Sequence, residues 1–320
     1  FTQETFFTGN DFYFEERSTP LPNQSQLRDP IYRQRLVLPE DPDLTDRLRA
    51  EAQVRFRMKR NKNVRADAMA VLPPPFGHNS SATVLVLGQV LNDFSVIETP
   101  LEEMSTIAIY QRLIGGLLEN SGHSVIFKAH PWERRRPNLM APVTFDRMRA
   151  WRERLPGPWR KRLKIMEREP LGSLFPYVDW AVGLNSQGLI EAAQAGLKPI
   201  QLGAAFFGEQ GFTHDRVLDD GLIADLAAGS LAGRLNLIEY RALEEFLVRT
   251  LVLHLISDRP EGVAKIAKRL AEPNHIPDLG EVLFTQREPR RKLLDWTAAI
   301  AANPFAFLRL ARPGRRSPRP

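Results

Sequence analysis

ATVLVLGQVLND, residues 82–93, sets a short apolar run rich in Val directly before Gly88, Gln89, Asn92 and Asp93. Residues 82–90 therefore read as a strand buried on both faces, as in a parallel sheet. The pattern repeats downstream. Residues 104–120 form an amphipathic helix ending near Gly122, and SVIFK (124–128) a second strand. Residues 171–175 make a helical turn, WAVGL (180–184) a third strand, and residues 186–195 a helix stopped by Gly196. PIQL (199–202) is a fourth strand, and residues 236–271 read as two helices that pack back on the sheet. Strands spaced by helices predict an α/β chain with a Rossmann-type parallel sheet covered on both faces.

Upstream, residues 46–63 are expected to be helical, with Thr45 as cap and Leu48, Ala52 and Phe56 on one face. Pro73, Pro74, Pro75 and Gly77 mark a boundary. The expected division is residues 1–75 as the remnant of an N-terminal domain plus linker helix, 76–272 as the nucleotide-binding domain, and 273–320 as a helical segment with a basic tail.

Open α/β sheets bind ligands beyond the carboxyl ends of their strands. Gln89 and Asp93 follow the first strand, Lys128, His130 and Pro131 the second, and Ser186, Gln187 and Glu191 the third. Phe206, Gly211, Thr213 and Asp215 follow the fourth. Taken singly, most of these have plain explanations. Ser186 caps a helix, Glu191 is an exposed helix acid, His130 is structural, and Asp93 is as readily a loop cap as a nucleophile. Together at one edge they read as a site. Ser186 lies at a helix start, which favours phosphate. His130 binds or protonates a phosphate oxygen, with Lys128 as a second cation on that strand face. Asp93 can attack an anomeric carbon.

Composition narrows the classes. There is no cysteine among 320 residues, which excludes disulfides, thiolate metal sites and a cysteine nucleophile. No apolar run approaches the roughly 20 residues of a membrane span. No Walker loop, GxGxxG, metal-ligand spacing or nucleic-acid module appears, despite a net charge of +6. The first twenty residues lack the regions of a signal peptide, and residue 1 is Phe, so the chain is expected to begin within a longer protein. Between Arg134 and Lys164 eleven basic residues oppose two acids, Asp146 and Glu153, with Trp132, Trp151 and Trp159 in or beside them. This stretch suits an anionic membrane surface or a solvated loop about equally. The basic tail from Arg309 reads as disordered.

Four motifs in order resemble the bacterial capsule polysaccharide biosynthesis and export family, the retaining β-Kdo transferases of the KpsC/KpsS type. Gly88-Gln89-Val90, Asp93 and Ser95 match its GQVxxDxS, and Lys128, His130 and Pro131 its KxHP. Ser186, Glu191 and Ala192 keep the spacing of its TSxxGFEA-like helix start. Phe206, Gly211, Thr213 and Asp215 keep that of its PFYxxWGxTxD-like loop. Lys59-Arg60-Asn61 is similar to its KYN. Gly188 falls one position early, Gln187 replaces an apolar residue, and Glu209-Gln210 stands where the family has Gly-Trp.

The resemblance implies a GT-B glycosyltransferase with CMP-Kdo as donor and no further cofactor. A lipid-linked Kdo primer would be the acceptor, the product a poly-Kdo linker made at the cytoplasmic face of the inner membrane, and a capsule export complex a further partner. It implies His130, Pro131 and Ser186 on the CMP phosphate, Glu191 on the ribose, and Gln89 and Asp93 on the reacting sugar. It also implies a fuller N-terminal domain with a catalytic glutamate, for which no matching segment is found. Two other readings stand beside it. One is a CDP-glycerol or teichoic-acid-type phosphotransferase, which leaves Gln89 and Asp93 without a role. The other is a non-catalytic nucleotide-binding module.

Overall fold

The computed structural model describes residues 2–5, 11–15, 25–57, 74–76, 81–91, 104–134, 141–257 and 267. Strands β1 (Thr2–Thr5) and β2 (Asp11–Glu15) pair antiparallel at the start of the chain. Helices α1 (Pro30–Arg35) and α2 (Pro42–Arg57) follow. Helix α2 starts earlier than predicted. Pro42 fits its first turn, where no backbone donor is needed, and the Asp41 carboxylate accepts from Asp43 N–H at 2.9 Å. Thr45 lies inside the helix and donates to Pro39 O at 2.7 Å. The predicted extension to residue 63 lies outside the described residues, as do Lys59-Arg60-Asn61.

The main sheet uses β3 (Thr83–Leu87), β4 (Ser124–Lys128), β5 (Leu163–Met166), β6 (Trp180–Gly183), β7 (Ile200–Gln201) and β8 (His214–Asp215). All neighbouring pairs are parallel, in the order β5-β4-β3-β6-β7-β8. Numbered within the sheet this is 3-2-1-4-5-6, the Rossmann order, so the direction of winding switches between β3 and β6. The predicted α/β fold is present. Strands β5 and β8 were not foreseen. LKIM (163–166) carries Lys164 and sits inside the basic run, and a two-residue strand has no periodicity to read.

Successive side chains of a strand alternate faces. Val84, Val86, Val125, Phe127 and Val182 accordingly join one apolar cluster, and Leu85, Leu87, Ile126 and Ala181 the other. Helices α3 (Thr106–Asn120), α4 (Val143–Glu153) and α7 (Asp220–Ala228) cover the first face through Leu113, Leu117, Met148 and Leu222. Short α5 (Gly157–Arg162) leads into β5. Helices α6 (Gly188–Gln194) and α8 (Leu237–Leu247) cover the second face through Leu189, Ile190, Leu243 and Phe246, joined there by Ala52 of α2. From residue 237, α8 runs into a π-helix, Val248–His254, and then β9 (Ile256–Ser257), which pairs antiparallel with β2, and the rest of the span predicted as two helices, apart from residue 267, lies outside the described residues. The predicted helix 186–195 contracts to residues 188–194.

Candidate functional site at the switch point

Gln89 leaves the end of β3 at the switch point and is 4% exposed. Its Oε1 accepts from Asn185 N–H at 2.8 Å, and its own N–H donates to the Tyr110 hydroxyl at 2.9 Å. The loops after β3 and β6 are thus joined across the crevice where this topology places ligands. Gly88 N–H donates to Lys128 O at 2.9 Å and so brings in the end of β4. A Cβ on Gly88 would lie 2.8 Å from Phe127 Cζ, so the close approach of the two loops needs glycine. The predicted nucleophile Asp93 lies outside the described residues.

At the end of β4, Lys128 is 7% exposed, and its ammonium donates to Ala129 O at 3.2 Å and to Glu167 O. Burial lowers its pKa to about 8, against the opposing pull of Glu169 and Glu167. It remains a cation at neutral pH, turned onto the carbonyls that end β4 and β5. His130 Nδ1 accepts from Trp132 N–H at 3.2 Å, which leaves the neutral ring's proton on Nε2. Burial, and then the Lys128 charge, push its pKa down to about 4. Lys128 and His130 therefore do not form the expected pair of cations. His130 offers a neutral N–H donor. Pro131 begins the 3-10 turn Pro131–Arg134.

After β6, Ser186 and Gln187 are half-buried. Ser186 Oγ accepts from Gly188 N–H at 3.2 Å, and Gln187 sits at the helix cap without a side-chain bond to it. Glu191, half-buried, stands in the first turn of α6. After β7 the polypeptide turns on glycine. A Cβ on Gly203 would lie 1.8 Å from Asn185 Oδ1, and one on Gly208 2.2 Å from Gln201 Nε2. Asp215 organises the following loop. Its Oδ1 accepts from Gln201 Nε2 at 2.9 Å, and its Oδ2 from Thr213 Oγ1 at 2.8 Å and Glu209 N–H at 2.9 Å. Glu209 is held at φ 56°, and Gly211 at φ 88°. Phe206 is buried and stacks on Phe246, 5.9 Å between centroids, so it anchors the loop from below. Among the described residues, the side-chain oxygens of Thr213 and Asp215 are spent on this loop and on Gln201 of β7.

Sequence reasoning missed Glu133. It is 0% exposed, and its carboxylate accepts from Leu91 N–H (3.3 Å), Thr144 N–H (2.8 Å) and Thr144 Oγ1 (2.5 Å). Burial raises its pKa to about 7, against these hydrogen bonds. Its partners lie 42 and 11 residues away, so no local motif signals it.

The basic stretch is partly consumed inside the fold. Arg134 Nε donates to Glu167 at 2.7 and 2.9 Å. Arg152 binds Leu163 O at 2.7 Å, and Arg162 binds Ser121 O, His123 O and Leu118 O at the end of α3. Trp151 and Trp159 pack against the first core cluster. Arg149, Arg154 and Lys161 remain exposed, with no side-chain hydrogen bond or ion pair to other described residues. No helix among the described residues is long and apolar enough to cross a membrane. None of their His, Asp and Glu side chains form a group of three suited to a metal ion.

No protein-family model matches this chain, and no curated protein does. Solved structures similar to it include the Thermosulfurimonas dismutans KpsC β-Kdo 2,4-transferase, at 17% identity and a TM-score of 0.48, over 82% of this chain and 73% of that one. The KpsC β-Kdo 2,7-transferase of the same organism matches at 16% identity and a TM-score of 0.43, over 82% and 71%. The pneumococcal O-GlcNAc transferase GtfA matches at 13% identity and a TM-score of 0.33, over 71% and 44%.

Proposed function

We propose that the chain is a glycosyltransferase of capsule polysaccharide biosynthesis, of the KpsC/KpsS type and GT-B architecture, that transfers Kdo from CMP-Kdo to an anionic lipid-linked acceptor. The observation that carries the reading is the bond from Asn185 N–H to Gln89 Oε1 across the switch point, with His130 on the neighbouring strand end. It supports the reading because it joins the loops after β3 and β6, where the first and third motifs begin, at the switch point that suits a nucleotide. His130 Nε2–H and the Ser186 turn take the CMP phosphate, and Glu191 takes the ribose. Asp93 attacks the anomeric carbon as CMP departs. The acceptor hydroxyl then passes its proton to water and displaces the carboxylate, which leaves as free Asp93. Two inversions retain the configuration.

Titration with CMP, CDP and UDP tests the nucleotide. CMP should bind best, whereas preference for CDP would favour a glycerol-phosphate type of transfer. Asp93→Asn should abolish transfer of Kdo in the complete protein and leave CMP affinity nearly unchanged, because the nucleotide contacts lie on other strands. Near-native turnover in that variant would exclude the nucleophile.

A further inference from the structure

Glu133 lies in the turn that begins with His130-Pro131, and none of the motifs uses it. An isolated carboxylate without donors does not survive burial at 0% exposure. This one has three donors from two other segments. Leu91 belongs to the loop that carries Gln89 and leads to Asp93. Thr144 is the second residue of α4, whose own cap position is Pro142 and makes no side-chain cap. Glu133 therefore caps α4 from outside, where a negative charge is favoured by the free N–H groups. The other charged groups nearby are Glu167, bound by Arg134, and Asp146 in the first turn of α4.

We propose that Glu133 is a positioning residue of the nucleotide site, holding the loop that carries Gln89 and the turn that carries His130 at a fixed separation on the amino end of α4. Its effect on ligand rests on the CMP reading above, whereas its effect on the loops does not. Without it, the Leu91 N–H loses its acceptor, α4 loses its cap, and the His-Pro turn is free to shift against β3. The phosphate contact should suffer and the contacts to the nucleoside should not.

The test compares the full chain with Glu133→Gln, which keeps the shape and removes one acceptor. CMP and cytidine affinities are measured by calorimetry, and amide exchange at Leu91 by NMR. The expected result is CMP affinity about tenfold lower, cytidine affinity within about twofold, and Leu91 exchange about tenfold faster. A merely structural role would lower both affinities alike along with the melting temperature. That parallel loss would overturn the proposal, as would unchanged CMP affinity and Leu91 exchange. If Glu133→Gln does not fold, Thr144→Val removes only the hydroxyl donor and should show the same pattern at about threefold. A native chain that binds neither CMP nor cytidine would defeat the functional reading. Leu91 exchange would then still decide the positioning role.

Discussion

His130 and Glu133 stand three positions apart, and burial drives both toward their neutral forms. Their effects on stability run in opposite directions. Glu133 titrates at about 7 when folded and near 4.5 when unfolded. Its contribution is full below about 4.5 and is lost as pH rises through about 7. His130 titrates at about 4 when folded and near 6.5 when unfolded. Its contribution is full above about 6.5 and is lost as pH falls through about 4. Between these limits the two slopes cancel in the native chain. His130→Gln should leave stability falling by about 2–3 kcal/mol from pH 4.5 to 6.5, and Glu133→Gln should leave it rising by a similar amount. Urea melts at several pH values check this. Identical profiles in both variants would contradict it. A second residue-scale expectation concerns Gly203. An alanine there meets the Asn185 side chain at 1.8 Å and the Leu184 carbonyl at 2.9 Å, so the backbone that carries the Asn185 N–H donor to Gln89 Oε1 must shift, costing about 1–3 kcal/mol. Nucleotide affinity should fall too, since the bond across the switch point is lost. An alanine variant with native melting temperature and native CMP affinity would show that Asn185 relaxes freely.

Helix α3 shows what long-range capping does for an element. Arg162, at the end of α5, meets the Leu118 carbonyl in the last turn of α3, Ser121 O at its cap at 2.7 Å, and His123 O just beyond at 2.9 Å. Arg162→Met keeps the aliphatic stem and removes these charge-assisted bonds. It should lower stability by about 1–3 kcal/mol, as measured by thermal melts. The sequence reading of residues 134–164 as a charge run hid α4, α5 and β5, because arginines that bind carbonyls look the same in sequence as arginines in water. The reading of residues 82–90 succeeded for the opposite reason. A strand buried on both faces is apolar throughout, and this needs no knowledge of its partners. The π-helix 248–254 had no such signal. It is fixed by distant contacts, among them the hydrogen bond of Tyr32 hydroxyl to His254 Nδ1 at 2.8 Å.

For the whole molecule, the tertiary structure changes which charges can meet a membrane. Arg134, Arg152 and Arg162 are engaged within the fold, whereas Arg149, Arg154 and Lys161 are exposed. If this stretch meets an anionic lipid surface, each of the latter three contributes about 1 kcal/mol at low salt. Replacing all three with Gln should reduce binding to anionic vesicles by about a hundredfold, while Arg134→Gln should act mainly on stability. Equal binding to neutral and anionic vesicles would reject this electrostatic account.

The sequence by itself determined the parallel sheet, the strand ends that gather polar residues, and the four ordered motifs. Each of these is local: a run, a spacing, or a residue type that follows a strand. Only the tertiary structure decided that β5 and β8 complete the sheet, that His130 is a neutral donor, that Lys128 is turned onto carbonyls, and that Glu133 joins two loops to α4. These outcomes depend on burial and on partners tens of residues away. Burial changes the energy of a charge, and a hydrogen bond between distant residues leaves no period in the chain.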